Sequence, residues 1–254
     1  MKKVNHMYFK SKESREMYFH KRPTVYGFWM HSYHGQGPTG LHQTMFNQSV
    51  EQFSTEEQKK HWLPKALNLD ILGCYAQTEL GHGSNVASLE TTATLDKKTD
   101  EFVIHSPTIT STKFWPGDMG RYCSHALVMA RLIIDDNDYG VAPFLVQIRS
   151  LKDHKWQKGI KCGDIGPKFG YHGKDNGWLT FDHVRIPRDN MLQKFISVAK
   201  DGEVGIQGDV RVLYSTMIMI RTIIIANSKM TLAPALTIAL RYSAVRRQFR
   251  NISG

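Results

Sequence analysis

The chain is short of cysteine. Its three, Cys74, Cys123 and Cys162, are odd in number, far apart and never in a Cys-x-x-Cys arrangement, which argues against a disulfide framework and against a zinc site. Long apolar runs are also missing: no stretch reaches the roughly 18–20 uncharged residues that a membrane helix needs, and the nearest, Met217–Ile225, is interrupted by Arg221. No apolar segment of the secretory kind stands near the start, where Met1–Arg22 holds seven Lys/Arg and two Glu. The expectation is an intracellular protein with no membrane span.

What is present is ordinary for a globular protein. The 254 residues are 41% hydrophobic and 22% charged, enough for a sizeable core and one to two domains. The net charge of +10 comes from 33 Lys/Arg against 23 Asp/Glu. These cations are spread along the chain with no RNP, finger or helix-turn-helix signature, so no nucleic acid is expected as a partner; attraction to an anionic ligand accounts for the charge equally well.

Residues 1–40 are rich in Lys, His and aromatics and predict no definite element. Gly35-Gln36-Gly37-Pro38-Thr39-Gly40 matches G-x-G-x-x-G, but no strand precedes it and Pro38 sits inside the turn, so a dinucleotide fold is not expected. His31 and His34 lie three apart without a third ligand in reach, and no metal is expected.

From Leu41 to Phe53 the apolar residues Leu41, Met45, Phe46, Val50 and Phe53 recur at helical spacing. Ser54-Thr55-Glu56-Glu57 predicts a capping box from Ser54 to Glu57 opening a second helix, which Pro64 should break or kink after about Leu63. Tyr75–Asn85 then puts Gln77, Thr78, Ser84 and Asn85 around Gly81 and Gly83, which reads equally as a polar loop whose glycines admit close approach of a ligand or as an ordinary polar connection. Thr91–Leu95 and Glu101–His105 predict a hairpin, and further β-rich runs follow at Thr108–Lys113, Ala126–Ile134, Val141–Ile148 and Trp178–Val184. Pro116-Gly117-Asp118 and Asp135–Asp138 mark turns, and Asn176-Gly177 favours a type I′ hairpin. Asp209–Gln248 reads as a long helix that Pro234 should kink or split, ending near Arg241, Arg246, Arg247 and Arg250.

Four motifs carry a resemblance. Thr78-Glu79-Leu80-Gly81-His82-Gly83-Ser84-Asn85 resembles the flavin loop of the acyl-CoA oxidase and dehydrogenase superfamily, and the preceding Tyr75-Ala76-Gln77 gives it the oxidase form. Ser106-Pro107-Thr108 through Lys113-Phe114-Trp115-Pro116-Gly117 is similar to the oxidase segment that meets the isoalloxazine ring. Gly163–Tyr171 with Asp175-Asn176-Gly177 and Ile186–Leu192 looks like the same branch, as does Arg241–Phe249. The resemblance spans roughly residues 40–250 in the family's order.

It implies an α+β, acyl-CoA dehydrogenase-like fold: a partial helical N-terminal domain over residues 1–72, a central antiparallel β-barrel-like domain over 73–192, and over 193–254 the first long helix of a C-terminal helical bundle. It implies FAD as cofactor and α,β-dehydrogenation of a fatty acyl-CoA to a trans-2-enoyl-CoA, with O₂ reduced to H₂O₂, in peroxisomal β-oxidation. A homodimer is implied. Cofactor contacts fall on Thr78, Gln77 through its backbone, Trp115, Gly117 and Arg246, and the acyl-CoA contact on Ser84. Trp115, Ser84 and Arg246 have plainer readings as a core aromatic, a turn residue and a helix-end cation. The family's catalytic Glu is expected beyond Gly254, and several tens of residues before Met1, so truncation at both ends is expected. Two alternatives stay open: a dehydrogenase that passes electrons to an electron-transfer flavoprotein, and a truncated non-catalytic paralogue that binds acyl-CoA or an oxidase subunit.

Overall fold

The computed structural model describes residues 39–170, 172–208, 215–247 and 249. His31, His34, most of the Gly35–Gly40 match, and both margins of the predicted long helix lie outside the described residues. The chain divides into two compact units, one covering Gln36–Thr216 and the other carrying Met217 onward.

The first unit opens with a single π-helical turn, His42–Phe46, running directly into α1 (Asn47–Phe53). Its apolar stripe is the predicted one, with Phe46, Val50 and Phe53 fully buried. α2 (Glu56–Leu67) begins one residue later than expected. Thr55, not Ser54, is the cap: its Oγ1 accepts the Gln58 N–H at 3.3 Å while its own N–H donates to Gln58 Oε1 at 3.1 Å. The reason lies far along the chain. Gln58 Nε2 donates to the carbonyls of Asp189 (2.8 Å) and Met191 (2.6 Å), and its Oε1 accepts the Gln193 N–H. An amide has both the donor and the acceptor that this three-way tie requires; a glutamate at the capping position would lack the donor. Pro64 lies inside α2, which continues to Leu67. Its missing N–H removes one bond, and the end is closed by Asn68 N–H to Pro64 O and Asp70 N–H to Lys65 O.

The central sheet is mixed. Strand β5 (His125–Ile134) pairs antiparallel along most of its length with β6 (Asn137–Gln147), and β1 (Gly73–Ala76) and β2 (Thr92–Asp96) pair parallel with its two ends. The predicted hairpin is β2 with β3 (Glu101–His105), and β9 (Val184–Pro187) adds outside β3. A second sheet has the order β4 (Lys113–Gly117), β8 (Asn176–Phe181), β7 (Ile160–Asp164), and β10 (Ile196–Val198) pairs with β11 (Val204–Ile206). Thr108–Thr112, predicted as strand, forms turns instead; its hydroxyls bond one another and Glu90 rather than leaving the backbone to a ladder.

Asn176-Gly177 is not a turn. It opens β8, where a Cβ on Gly177 would stand 2.6 Å from the Gly120 nitrogen, so the glycine serves a close crossing of two backbones. The type I′ conformation sits at Asp135-Asp136, both with positive φ (48° and 64°), between the paired Ile134 and Asn137.

In the second unit α3 (Ser215–Val245) spans 31 residues. Pro234 lies inside it without splitting it, since one missing N–H does not end so long a ladder. Ile225, Ile238, Leu240 and Val245 are exposed on it. Among the described residues no helix is long and apolar enough to cross a membrane.

Candidate functional site

The polar loop after β1 is zipped onto the segment leading into β4. Leu80 and Gly81 N–H donate to the Thr112 and Thr110 carbonyls (2.8 and 2.9 Å), Phe114 N–H to Thr78 O, and the Thr78 hydroxyl to Phe114 O at 2.8 Å. Thr78 is half-buried and retains hydroxyl lone pairs that can accept from a ligand.

Beneath the loop lies a buried ion pair. Glu79 turns inward, and its carboxylate accepts from Glu90 N–H (2.7 Å), Thr91 N–H (3.0 Å), Thr91 Oγ1 (2.6 Å) and Lys113 Nζ (2.9 Å). Lys113 is fully buried and also donates to the carbonyls of Gln77 (3.1 Å) and Met129 (2.6 Å). Burial pushes its ammonium down to about 8, against the opposing pull of Glu79. One cation thus ties the loop at Gln77 and Glu79 to β5. With every carboxylate contact internal, Glu79 is a structural acid and has no reach to a substrate proton.

At the rim β4 is distorted. Its register with β8 shifts between Phe114 and Gly117, and Trp115 takes φ +82° with its side chain 52% exposed. Positive φ in a bulky residue costs about 1–3 kcal/mol and persists only where the surroundings enforce it. The enforcing contact here is Asn176 Nδ2, which donates to Trp115 O at 2.7 Å, while the buried Asn176 Oδ1 has no partner among the described residues. Thr78, Glu79, Leu80, Gly83, Phe114 and Trp115 line one recess of about 330 Å³. A larger one, about 790 Å³, lies between the start of α2 and the segment Arg188–Gln207 but carries none of the candidate site residues.

Gly117 is buried two residues beyond Trp115, where a Cβ would stand 2.1 Å from Leu41 Cδ1 and 3.0 Å from Lys174 Cε. Lys174 Nζ holds both oxygens of the next residue, Asp118, at 2.7 and 2.8 Å. Burial raises the Asp118 carboxyl to about 6, with Lys174 opposing and the Asp175 charge adding.

The comparisons with known proteins agree with this architecture. Family models match in succession: acyl-coenzyme A oxidase N-terminal over residues 1–72, acyl-CoA dehydrogenase middle domain over 74–184, and acyl-CoA oxidase C-alpha1 domain over 214–253. Peroxisomal acyl-coenzyme A oxidase 1 of Arabidopsis thaliana is 54% identical over 214 residues, covering 82% of this chain and 32% of the relative. The chain belongs to the acyl-CoA oxidase family. The protein of the same name from Rattus norvegicus is 47% identical over 211 residues, again across 32% of its length. Among solved structures, Arabidopsis thaliana acyl-CoA oxidase 1 superposes on the whole chain with TM-score 0.88 at 47% identity, over 38% of its own length. Acyl-CoA oxidase-2 of Caenorhabditis elegans, solved with FAD, ascaroside-CoA and ATP bound, gives 0.84 at 41% identity, covering 98% of this chain and 37% of that one. The chain therefore spans about a third of the length of the relatives it matches.

Within this oxidase family frame the fold brings Thr78 and Trp115 to one recess. The Gln77 carbonyl is occupied by Lys113, Gly117 lies under Leu41 outside the recess lining, and Ser84 is exposed on the loop. Arg246 lies just past α3 in the other unit, exposed, its guanidinium 5.9 Å from the Tyr242 ring. Sequence reasoning missed Lys113, Asn176 and the Asp118–Lys174 pair. A lysine flanked by Thr112 and Phe114 in a β-prone run was the one available signal for the first; the others depend on contacts across the chain.

Proposed function

We propose that the chain supplies the flavin- and thioester-facing part of a peroxisomal acyl-CoA oxidase, which converts fatty acyl-CoA to trans-2-enoyl-CoA and passes the electrons to O₂. The observation that carries this reading is the junction of the Thr78 loop with Trp115, where an exposed indole on an enforced backbone bend shares a recess with a threonine hydroxyl. A flat aromatic cofactor with a polar edge matches that pair: the indole offers a face, and Thr78 Oγ1 an acceptor. FAD, when bound, supplies hydride acceptance and electron delivery to oxygen.

The chain's own residues position and exclude. Lys113 and Glu79 hold the loop backbone, Asn176 holds the Trp115 carbonyl, and Leu41 covers Gly117. In this reading Ser84 and Asn85, exposed next to Gly83, contact the acyl-CoA, and the guanidinium fork of Arg246 binds the cofactor diphosphate of the neighbouring subunit. In this reading the complete protein is a homodimer. No residue described here is assigned as the proton-abstracting base.

The test is titration with FAD, read by quenching of flavin fluorescence, for the wild type, Thr78→Val and Trp115→Ala, alongside H₂O₂ release from a fatty acyl-CoA in the flavin-loaded protein. Both variants should bind FAD more weakly. Unchanged affinity in both would refute the assignment of the recess.

A further inference from the structure

Away from this recess, the fold gathers three metal-ligating side chains that the sequence keeps 77 and 78 positions apart. His105 ends β3, and Asp182-His183 is the two-residue connection between β8 and β9. The imidazoles of His105 and His183 face each other at 4.0 Å between ring centroids and 22° between planes, and His183 Nδ1 lies 2.8 Å from Asp182 Oδ1. One ligand atom from each of the three residues lies within 4.8 Å of the other two. We propose that His105, Asp182 and His183 form a binding site for a divalent transition-metal ion, of the Zn²⁺, Cu²⁺ or Ni²⁺ class.

Three observations support it. The backbone beneath the ligands is fixed: Ile104 pairs with Val184 across the β3–β9 ladder, Ser106 N–H donates to Phe181 O at 2.8 Å, and Asp182 N–H donates to Gly159 O at 2.8 Å. The turn is unusual, since His183 takes φ +50°, and its exposed ring stacks over that of His105. His105 Nδ1 is buried and finds no hydrogen-bond partner among the described residues, a cost that a metal bond would remove.

The donor set selects the metal. Two imidazoles and one carboxylate suit zinc, copper or nickel, whereas calcium and magnesium prefer all-oxygen shells. Tetrahedral zinc with bonds of about 2.0–2.2 Å needs its donors roughly 3.3 Å apart, so the site must tighten from its present spread. His183 and Asp182 are exposed enough to do so by side-chain rotation, while His105 stays on its strand. Three protein ligands leave a fourth position to water, and the bound ion would tie the β8–β9 turn to the end of β3.

Equilibrium titration of the protein with Zn²⁺, with Mg²⁺ as the control, tests this. One Zn²⁺ per chain is expected, with dissociation constants rising roughly tenfold or more in His183→Ala and in Asp182→Asn, at least the 10–100-fold that loss of an outer-shell partner costs. His183 is a surface residue, so its variant separates ligand loss from misfolding, which circular dichroism checks directly. Cu²⁺ in place of Zn²⁺ should show nitrogen hyperfine structure in its electron paramagnetic resonance spectrum, reduced in His105→Gln. The proposal is overturned if no stoichiometric Zn²⁺ binds, or if His183→Ala binds as tightly as the wild type.

Discussion

Replacing Lys113 with methionine tests the buried pair beneath the loop. Methionine fills most of the lysine's volume, so packing is largely preserved and the electrostatic loss dominates. The substitution deletes three hydrogen bonds, to Gln77 O, Glu79 Oε1 and Met129 O, and leaves the Glu79 carboxylate buried without its countercharge. Breaking one partner of a buried pair costs about 3–5 kcal/mol. Glu79 keeps its donors at Glu90 N, Thr91 N and Thr91 Oγ1, which softens that loss, while two orphaned carbonyls add about 1 kcal/mol each. A total near 4 kcal/mol follows. Equilibrium urea unfolding followed by tryptophan fluorescence reads it as a lowered midpoint at unchanged slope. The double variant Glu79→Gln/Lys113→Met removes the stranded charge and should recover at least half of the loss. A single-variant cost below about 1 kcal/mol, or a double variant less stable than Lys113→Met alone, would refute the reasoning.

Three further outcomes follow from the same geometry. His42 Nδ1 accepts the Gly73 N–H (2.9 Å), its Nε2 lies 3.0 Å from Ala66 O, and burial pushes both His42 and His125 down to about 4 from the ordinary 6.5. Their stability contribution is therefore full above pH 6.5 and lost as pH falls toward 4. Asp118, raised from 3.8 to about 6, acts oppositely, with stability falling as pH rises through that window. Two histidines outweigh one aspartate, so urea midpoints should drop on acidification, and His42→Gln should flatten the drop by up to about 1.4 kcal/mol per pH unit. Trp115→Gly relieves the positive φ and should leave the urea midpoint unchanged or raised, while FAD affinity, measured by fluorescence titration, falls roughly tenfold through loss of the stacking face. Gly177→Ala sets a Cβ 2.6 Å from the Gly120 nitrogen, backbone against backbone, and should cost about 1–3 kcal/mol in the same unfolding assay.

What was legible before the fold was what depends on neighbours in sequence. The stripe of Phe46, Val50 and Phe53 announced a buried helix face, and the β-branched runs on either side of Asp96–Asp100 announced the β2–β3 hairpin. Motif order carried the family. Where the reading slipped, a distant contact had displaced a local preference. The cap moved from Ser54 to Thr55 because Gln58 is claimed by the backbone of residues 189–193. Asn176-Gly177 has the composition of a hairpin turn, yet a close approach to Gly120 and a bond to Trp115 O use both residues inside a strand.

The sequence by itself determined the family and most of the elements in their order, because propensity, periodicity and motif spacing are properties of contiguous residues. Only the tertiary structure decided that Glu79 faces inward to Lys113, that Asn176 enforces the Trp115 bend, and that His105 meets His183. Each of those is a contact between strands or loops that are far apart in the chain. Burial then determines whether a charge is paired, a backbone angle strained or an imidazole left without a partner.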